Sequence, residues 1–176
     1  RQCRRAECVG VSNGTGGLYL ALRALGVGPG DEVVTTAMSW VATANAVIAL
    51  GATPVFADVA DDFNIEPASV EAVITPRTKA ILPVHYYGRM ARMNELISIA
   101  ARHGLKVVED ASQAFGATLD GRPAGAFGDA AAFSLNKRNG WQENTGPGKA
   151  FSAIDGTSVR LDARWLPTDK ITLDYS

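Results

Sequence analysis

Short apolar runs alternate along this chain with longer segments whose apolar residues return every three or four positions. CVGVS, residues 8–12, reads as a strand. It leads into Gly14 to Leu25, where Leu18, Leu22 and Leu25 recur at helical spacing until GVGPGDE interrupts them. EVVTT is a second short strand, Trp40 to Leu50 an alanine-rich helix, and TPVFADV a third strand. Pro67 to Ile74 reads as a short helix with proline in its first turn, TKAILPVH as a strand, and Met93 to His103 as an amphipathic helix. LKVVED and AAAFSLN supply two more strands. A repeated strand-then-helix rhythm predicts a three-layer α/β/α fold around a mainly parallel sheet, with ligands bound outside the carboxyl ends of the strands. The rhythm stops near residue 137: the tail to Ser176 is rich in Gly, Asn and polar residues and predicts a loop-dominated segment, with a short amphipathic piece near Val159 to Leu166.

Composition changes this picture little. At 176 residues, 47% hydrophobic and 20% charged, the chain suits one globular domain or part of one. A net charge of -1 offers no footprint for nucleic acid or a membrane surface, and Arg1, Arg4 and Arg5 read as a terminal cluster. No run reaches the roughly eighteen apolar residues of a membrane span, and no signal-peptide pattern is present. Cys3 and Cys8 with His85 and His103 form neither a disulfide framework nor a metal-ligand spacing. The expectation is a reduced, cytoplasmic protein without a metal.

Three strand ends carry candidate chemistry. SNGTGG, residues 12–17, joins a strand to a helix, so unpaired amides, the helix dipole and the Thr15 hydroxyl would favour an anion such as phosphate. The alternative is that Ser12 or Asn13 simply caps the helix. A dinucleotide site fits less well, because a proper GxGxxG is missing and EVVTT does not end in an acid. In TTAMSWVATANA, the Trp40 indole offers a face for a planar ring, although a tryptophan opening a helix is commonly packing. Asp110 closes the apolar strand of GLKVVEDASQAFGA, where a poorly solvated carboxylate needs a partner; a protonated heterocyclic nitrogen, such as the pyridinium of pyridoxal 5'-phosphate (PLP), would serve. Capping of a following helix is the alternative, since DASQ fits that pattern. Glu109 should point to the opposite face, and Gln113 could face a ligand hydroxyl. His85 either lines a cleft or is a satisfied structural histidine.

The stretch from GTGGLYLALRALGVGPGDEVVTTAMSW to GATPVFADV, then ITPRTKAILPVHYYG, VVEDASQAFGA and GDAAAFSLN, resembles in order the DegT/DnrJ/EryC1/StrS family of PLP-dependent sugar aminotransferases, over about residues 8 to 136. The resemblance implies an incomplete large domain of a fold-type I PLP-dependent transferase at residues 8–136, followed by a loop-rich remnant at 137–176. It implies Gly14, Thr15 and Gly16 as the phosphate turn, Trp40 stacked on the PLP ring, and Asp110 on its pyridinium nitrogen. Gln113 would lie near the phenolic oxygen and Ser134 would be a further phosphate ligand. The implied reaction moves an amino group from an amino acid, glutamate being the common donor, to a nucleotide-linked keto sugar, in a homodimer.

One departure stands beside the match. The family's pattern FSxxxxK places its cofactor-bound lysine five residues past the serine; here that position is Asn139, and Lys137 lies only three residues on. In an extended chain a two-residue shift displaces a side chain by about 6 to 7 Å. No catalytic residue is therefore assigned. RNGWQE, residues 138–143, resembles the family's later RNHGW segment, and IDGTSVRLDA, residues 154–163, resembles its GxNSRLDxLQAA segment. These matches imply a truncated and internally shortened member, for which a PLP-binding but inactive protein, or an inactive fragment, is the alternative to an aminotransferase. In relatives that act as sugar dehydrases a histidine replaces the lysine; His85 and His103 lie elsewhere in the chain.

Overall fold

The central strands are buried on both faces, and successive side chains turn to opposite sides of the sheet, which builds the layers. The computed structural model describes residues 8–134 and the backbone of Asp162–Ala163. Helix α1 (Gly14–Ala24) is followed by β1 (Glu32–Thr36), α2 (Ala42–Ile48), β2 (Thr53–Ala57), α3 (Pro67–Ala72) and β3 (Thr78–Leu82). Helix α4 (Met93–His103), β4 (Lys106–Asp110), a small hairpin of β5 (Thr118–Leu119) and β6 (Arg122–Pro123), β7 (Ala130–Ala132) and β8 (Asp162–Ala163) complete the order. The sheet runs β2-β1-β3-β4-β7-β8, parallel except that β8 lies antiparallel to β7. This is the mainly parallel α/β sheet that the pattern predicts.

Val33, Ala80, Leu82, Val108, Ala130 and Ala132 face one side of the sheet, where they pack with Leu18, Ala21, Leu22 and Leu25 of α1 and its loop and with Ala46 and Val47 of α2. Val34, Ile81 and Val107 face the other, against Val70 of α3 and Met93, Leu96, Ile99 and Ala100 of α4. In α1 the spacing 18, 21, 22, 25 is one helical stripe, which is why the sequence period reports burial directly. Helix α4 ends at Gly104, whose φ of 67° is the left-handed conformation that glycine adopts without a Cβ clash.

Three expectations are corrected. CVGVS forms no strand: Cys8 and Gly10 are exposed, Val9 and Val11 only half-buried, and no described strand lies alongside to take its backbone hydrogen bonds. TKAILPVH stops pairing regularly at Leu82, because Pro83 has no N–H; pairing resumes as a bridge between Val84 and Asp110. The tail does contribute a strand, the backbone of β8, with Ala131 opposite Ala163 and Ala132 opposite Asp162. The β5–β6 hairpin was not anticipated, although LDGR contains the Asp-Gly turn: Asp120 and Gly121 have φ of 52° and 73°. Lys137, Asn139 and RNGWQE lie outside the described residues, as does all of 154–163 except the β8 backbone. Among the described residues no helix is long and apolar enough to cross a membrane.

Candidate functional site

The first turn of α1 opens onto the carboxyl edge of the sheet. Asn13 is extended and caps the helix, its side-chain oxygen accepting from Gly16 N–H at 2.7 Å. Gly17 N–H reaches the Asn13 carbonyl. The amides of Gly14 and Thr15 are the two of the first turn that no helical partner takes up. A Cβ added at Gly14 would stand 3.4 Å from Ser112 Oγ and 3.8 Å from Ser134 Cβ, so glycine keeps open a space bordered by two serines.

Asp110 ends β4 on the face shared with Val108, toward α1 and α2, and is 5% exposed. Its Oδ2 accepts from Thr43 Oγ1 at 2.9 Å and its Oδ1 from Ser112 N–H at 3.2 Å. Among the described residues no helix follows Asp110, so the helix-capping alternative gives way to a carboxylate gripped from two sides. Ser39 Oγ lies 2.8 Å from Thr43 Oγ1. Trp40 is 73% exposed, so packing does not explain it. Gln113 Oε1 accepts from Tyr87 N–H at 3.1 Å; Tyr87 holds φ at 47°, an uncommon conformation for a residue with a side chain.

These groups border one open hollow of about 320 Å³. Of the seven residues singled out in the sequence, Gly14, Thr15, Trp40, Asp110, Gln113 and Ser134 line it. Gly16 does not, and its N–H is taken by the Asn13 cap. Ser39, Thr43 and Ser112 line it too and were missed. The signal for Thr43 was present: 43, 46 and 47 form the buried stripe of α2, so a threonine there must point at the sheet, and Ser39 is one helical turn before it.

Glu109 points the other way and is fully buried. Its Oε1 accepts from the N–H groups of Phe127 at 2.8 Å and Gly128 at 2.7 Å, and its Oε2 from Gly125 N–H at 2.9 Å and His85 Nε2 at 3.0 Å. Because Ala91 N–H donates to His85 Nδ1 at 3.2 Å, that nitrogen carries the lone pair and Nε2 carries the proton. His85 is thus a satisfied structural histidine. Burial pushes the Glu109 carboxyl up, but the hydrogen bonds from His85, Gly128 and Gly125 outweigh it and hold the carboxyl below its ordinary value.

A lowered carboxyl binds its proton more weakly folded than unfolded, so its contribution is complete above the ordinary glutamate value and is lost as pH falls through the lower, folded one. Urea-unfolding midpoints should therefore fall as pH drops below about 4.3. Glu32, held down chiefly by Thr75, and Glu71, held down chiefly by Arg102, add to that slope in the same direction. A flat profile to pH 3 would contradict this account of Glu109.

Comparison with known proteins adds an independent line. The sequence profile of the DegT/DnrJ/EryC1/StrS aminotransferase family matches residues 2–139. The chain is 53% identical over 133 residues to a pleiotropic regulatory protein of Geobacillus stearothermophilus, covering 75% of this chain and 36% of that protein. It is also 53% identical over 131 residues to UDP-N-acetyl-3-dehydro-alpha-D-glucosamine 3-aminotransferase of Acidithiobacillus ferrooxidans, covering 74% and 36%. Among solved structures, NtdA of Bacillus subtilis with bound cofactor PMP superposes with a TM-score of 0.65 at 45% identity, covering 71% of this chain and 28% of that one. The chain spans about a third of the length of the curated relatives it matches.

Proposed function

The chain belongs to the DegT/DnrJ/EryC1/StrS aminotransferase family, and from that premise we propose that residues 8–136 are the cofactor-holding unit of a PLP-dependent enzyme. In this reading the enzyme moves an amino group from an amino acid such as glutamate to a nucleotide-linked keto sugar. The observation that carries it is Asp110, a buried carboxylate fixed on both oxygens and bordering the same hollow as an exposed indole and the open end of a helix.

The residues suit such a cofactor. The amides of Gly14 and Thr15 would bind its phosphate, with the hydroxyls of Thr15 and Ser134 beside them, and the gap that a Cβ at position 14 would fill leaves room for an anion. Trp40 would cover one face of the ring and shed water from it. Asp110 would hold the proton on the ring nitrogen, and Gln113, whose oxygen is taken by Tyr87 N–H, would offer its NH₂ to a ring oxygen. The bound cofactor supplies an electron sink for the bond broken at the amino acid's Cα. A hollow of about 320 Å³ falls at the lower end of the roughly 300–1,000 Å³ of small-molecule sites.

Asn139 favours a second reading, a protein that holds the cofactor without transferring the amino group, because it stands where the family's pattern has lysine. One titration separates the two. With PLP added to the 176-residue chain, tryptophan quenching should saturate, and less readily when Trp40 is alanine. Borohydride that then fixes the cofactor to the chain, together with amino transfer from glutamate, supports the enzyme. Saturable binding that borohydride cannot fix supports the second reading, and absence of saturable binding refutes both. A homodimer, implied for the whole enzyme, would appear as twice the chain mass in light scattering.

A further inference from the structure

We propose that Thr43, polarised by Ser39, is the positioning residue that sets the Asp110 carboxylate for its ligand. This inference rests on the cofactor reading of the hollow and adds a residue pair to it.

Thr43 is 2% exposed on the sheet-facing stripe of α2, whose next members, Ala46 and Val47, are completely buried against the sheet. The packing of α2 therefore delivers the hydroxyl to β4, and Oγ1 meets Asp110 Oδ2 at 2.9 Å across 67 residues of sequence. An ionised carboxylate only accepts, so the single Thr43 proton is committed to it. The 2.8 Å contact between Ser39 and Thr43 then has one polarity: Ser39 donates and Thr43 accepts. A hydroxyl that accepts one hydrogen bond donates the next more strongly, so the order Ser39, Thr43, Asp110 concentrates donor strength on Oδ2. Ser112 N–H holds Oδ1 at 3.2 Å, and rotating the carboxylate about its last bond would break both contacts. The carboxylate plane is thereby fixed before a ligand arrives, with lone pairs left for a charged ring N–H.

The test compares PLP with the analogue in which the ring nitrogen is replaced by C–H, each titrated by fluorescence into the full chain. A merely structural role for Thr43 would weaken both ligands alike; a role exerted through Asp110 is felt only by the ligand with a ring nitrogen. Thr43→Val keeps the shape and removes the hydroxyl. It should weaken PLP about 3- to 10-fold, as expected when the carboxylate must be ordered by the ligand instead of beforehand, and the analogue less than about 2-fold. Thr43→Ser should restore PLP affinity to within about 2-fold of the wild type. Equal loss for both ligands in Thr43→Val, or no loss for either, overturns the proposal while leaving the cofactor reading intact. If the wild type binds neither ligand, the cofactor reading fails and this inference with it. Should Thr43→Val not fold, Ser39→Ala at its half-exposed position makes the same comparison: a selective loss of about 2- to 5-fold for PLP supports the relay, and an equal effect on both ligands or none refutes it.

Discussion

Glu109→Ala is expected to leave little or no folded protein at 25 °C. The substitution removes the shared acceptor of four donors at once: the buried N–H groups of Gly125 and Gly128, the half-buried N–H of Phe127 and the buried Nε2–H of His85. Each unsatisfied buried donor costs about 1–3 kcal/mol, so losing the shared acceptor sums to several kcal/mol. The whole fold has only about 5–15 kcal/mol to lose. No nearby rearrangement offsets this, because Gly128 is pressed against β4, where even a Cβ would stand 2.6 Å from the Val107 carbonyl oxygen. Glu109→Gln keeps one acceptor oxygen and turns the other site into a donor facing donors, so it should be intermediate, with a lowered urea midpoint and a shallower acid slope. An unfolding free energy for Glu109→Ala within about 1 kcal/mol of the wild type would refute this assignment.

Asp110→Asn is expected to do the opposite: a nearly normal urea midpoint and a large loss of PLP affinity. Asparagine has the same shape: its oxygen can accept from Ser112 N–H while its NH₂ donates to Thr43, whose hydroxyl then donates to Ser39, so the local packing survives. It cannot present a charged acceptor to a ring N–H. A charge-assisted hydrogen bond contributes about 1.5–3 kcal/mol, which converts to roughly 10- to 150-fold in affinity. The ring-nitrogen-free analogue should bind Asp110→Asn and wild type about equally. Unchanged PLP binding would remove the pyridinium role from Asp110, and with it the central support for the proposed function.

The contrast between the two acids bears on what a sequence can reveal. That Glu109 and Asp110 face opposite sides follows from the two-residue period of a strand, and the stripe of Leu18, Leu22 and Leu25 follows from the helical one. Both are local properties, and both were legible. Three of the four partners of Glu109 come from a turn 16 to 19 residues later, through main-chain amides that no side-chain motif announces. Thr43 meets Asp110 only because two elements 67 residues apart pack on one sheet. CVGVS misled for the converse reason: an apolar β-branched run is only an offer of a strand, and among the described residues no strand lies alongside to take it up. At Asn13, capping and an open anion site looked like rivals in the sequence; the structure accommodates the cap while leaving two amides over.

The back-to-back placement of the acids has one more effect. Sliding β4 by a single residue would exchange their faces, sending glutamate toward the hollow and aspartate into the loop of glycines. That slip would forfeit every contact Glu109 makes, together with the Asp110 N–H to Pro83 and His85 N–H to Asp110 carbonyl links. In the proposed reading Glu109 therefore works as a locating pin, and the accuracy with which Asp110 is aimed is inherited from it.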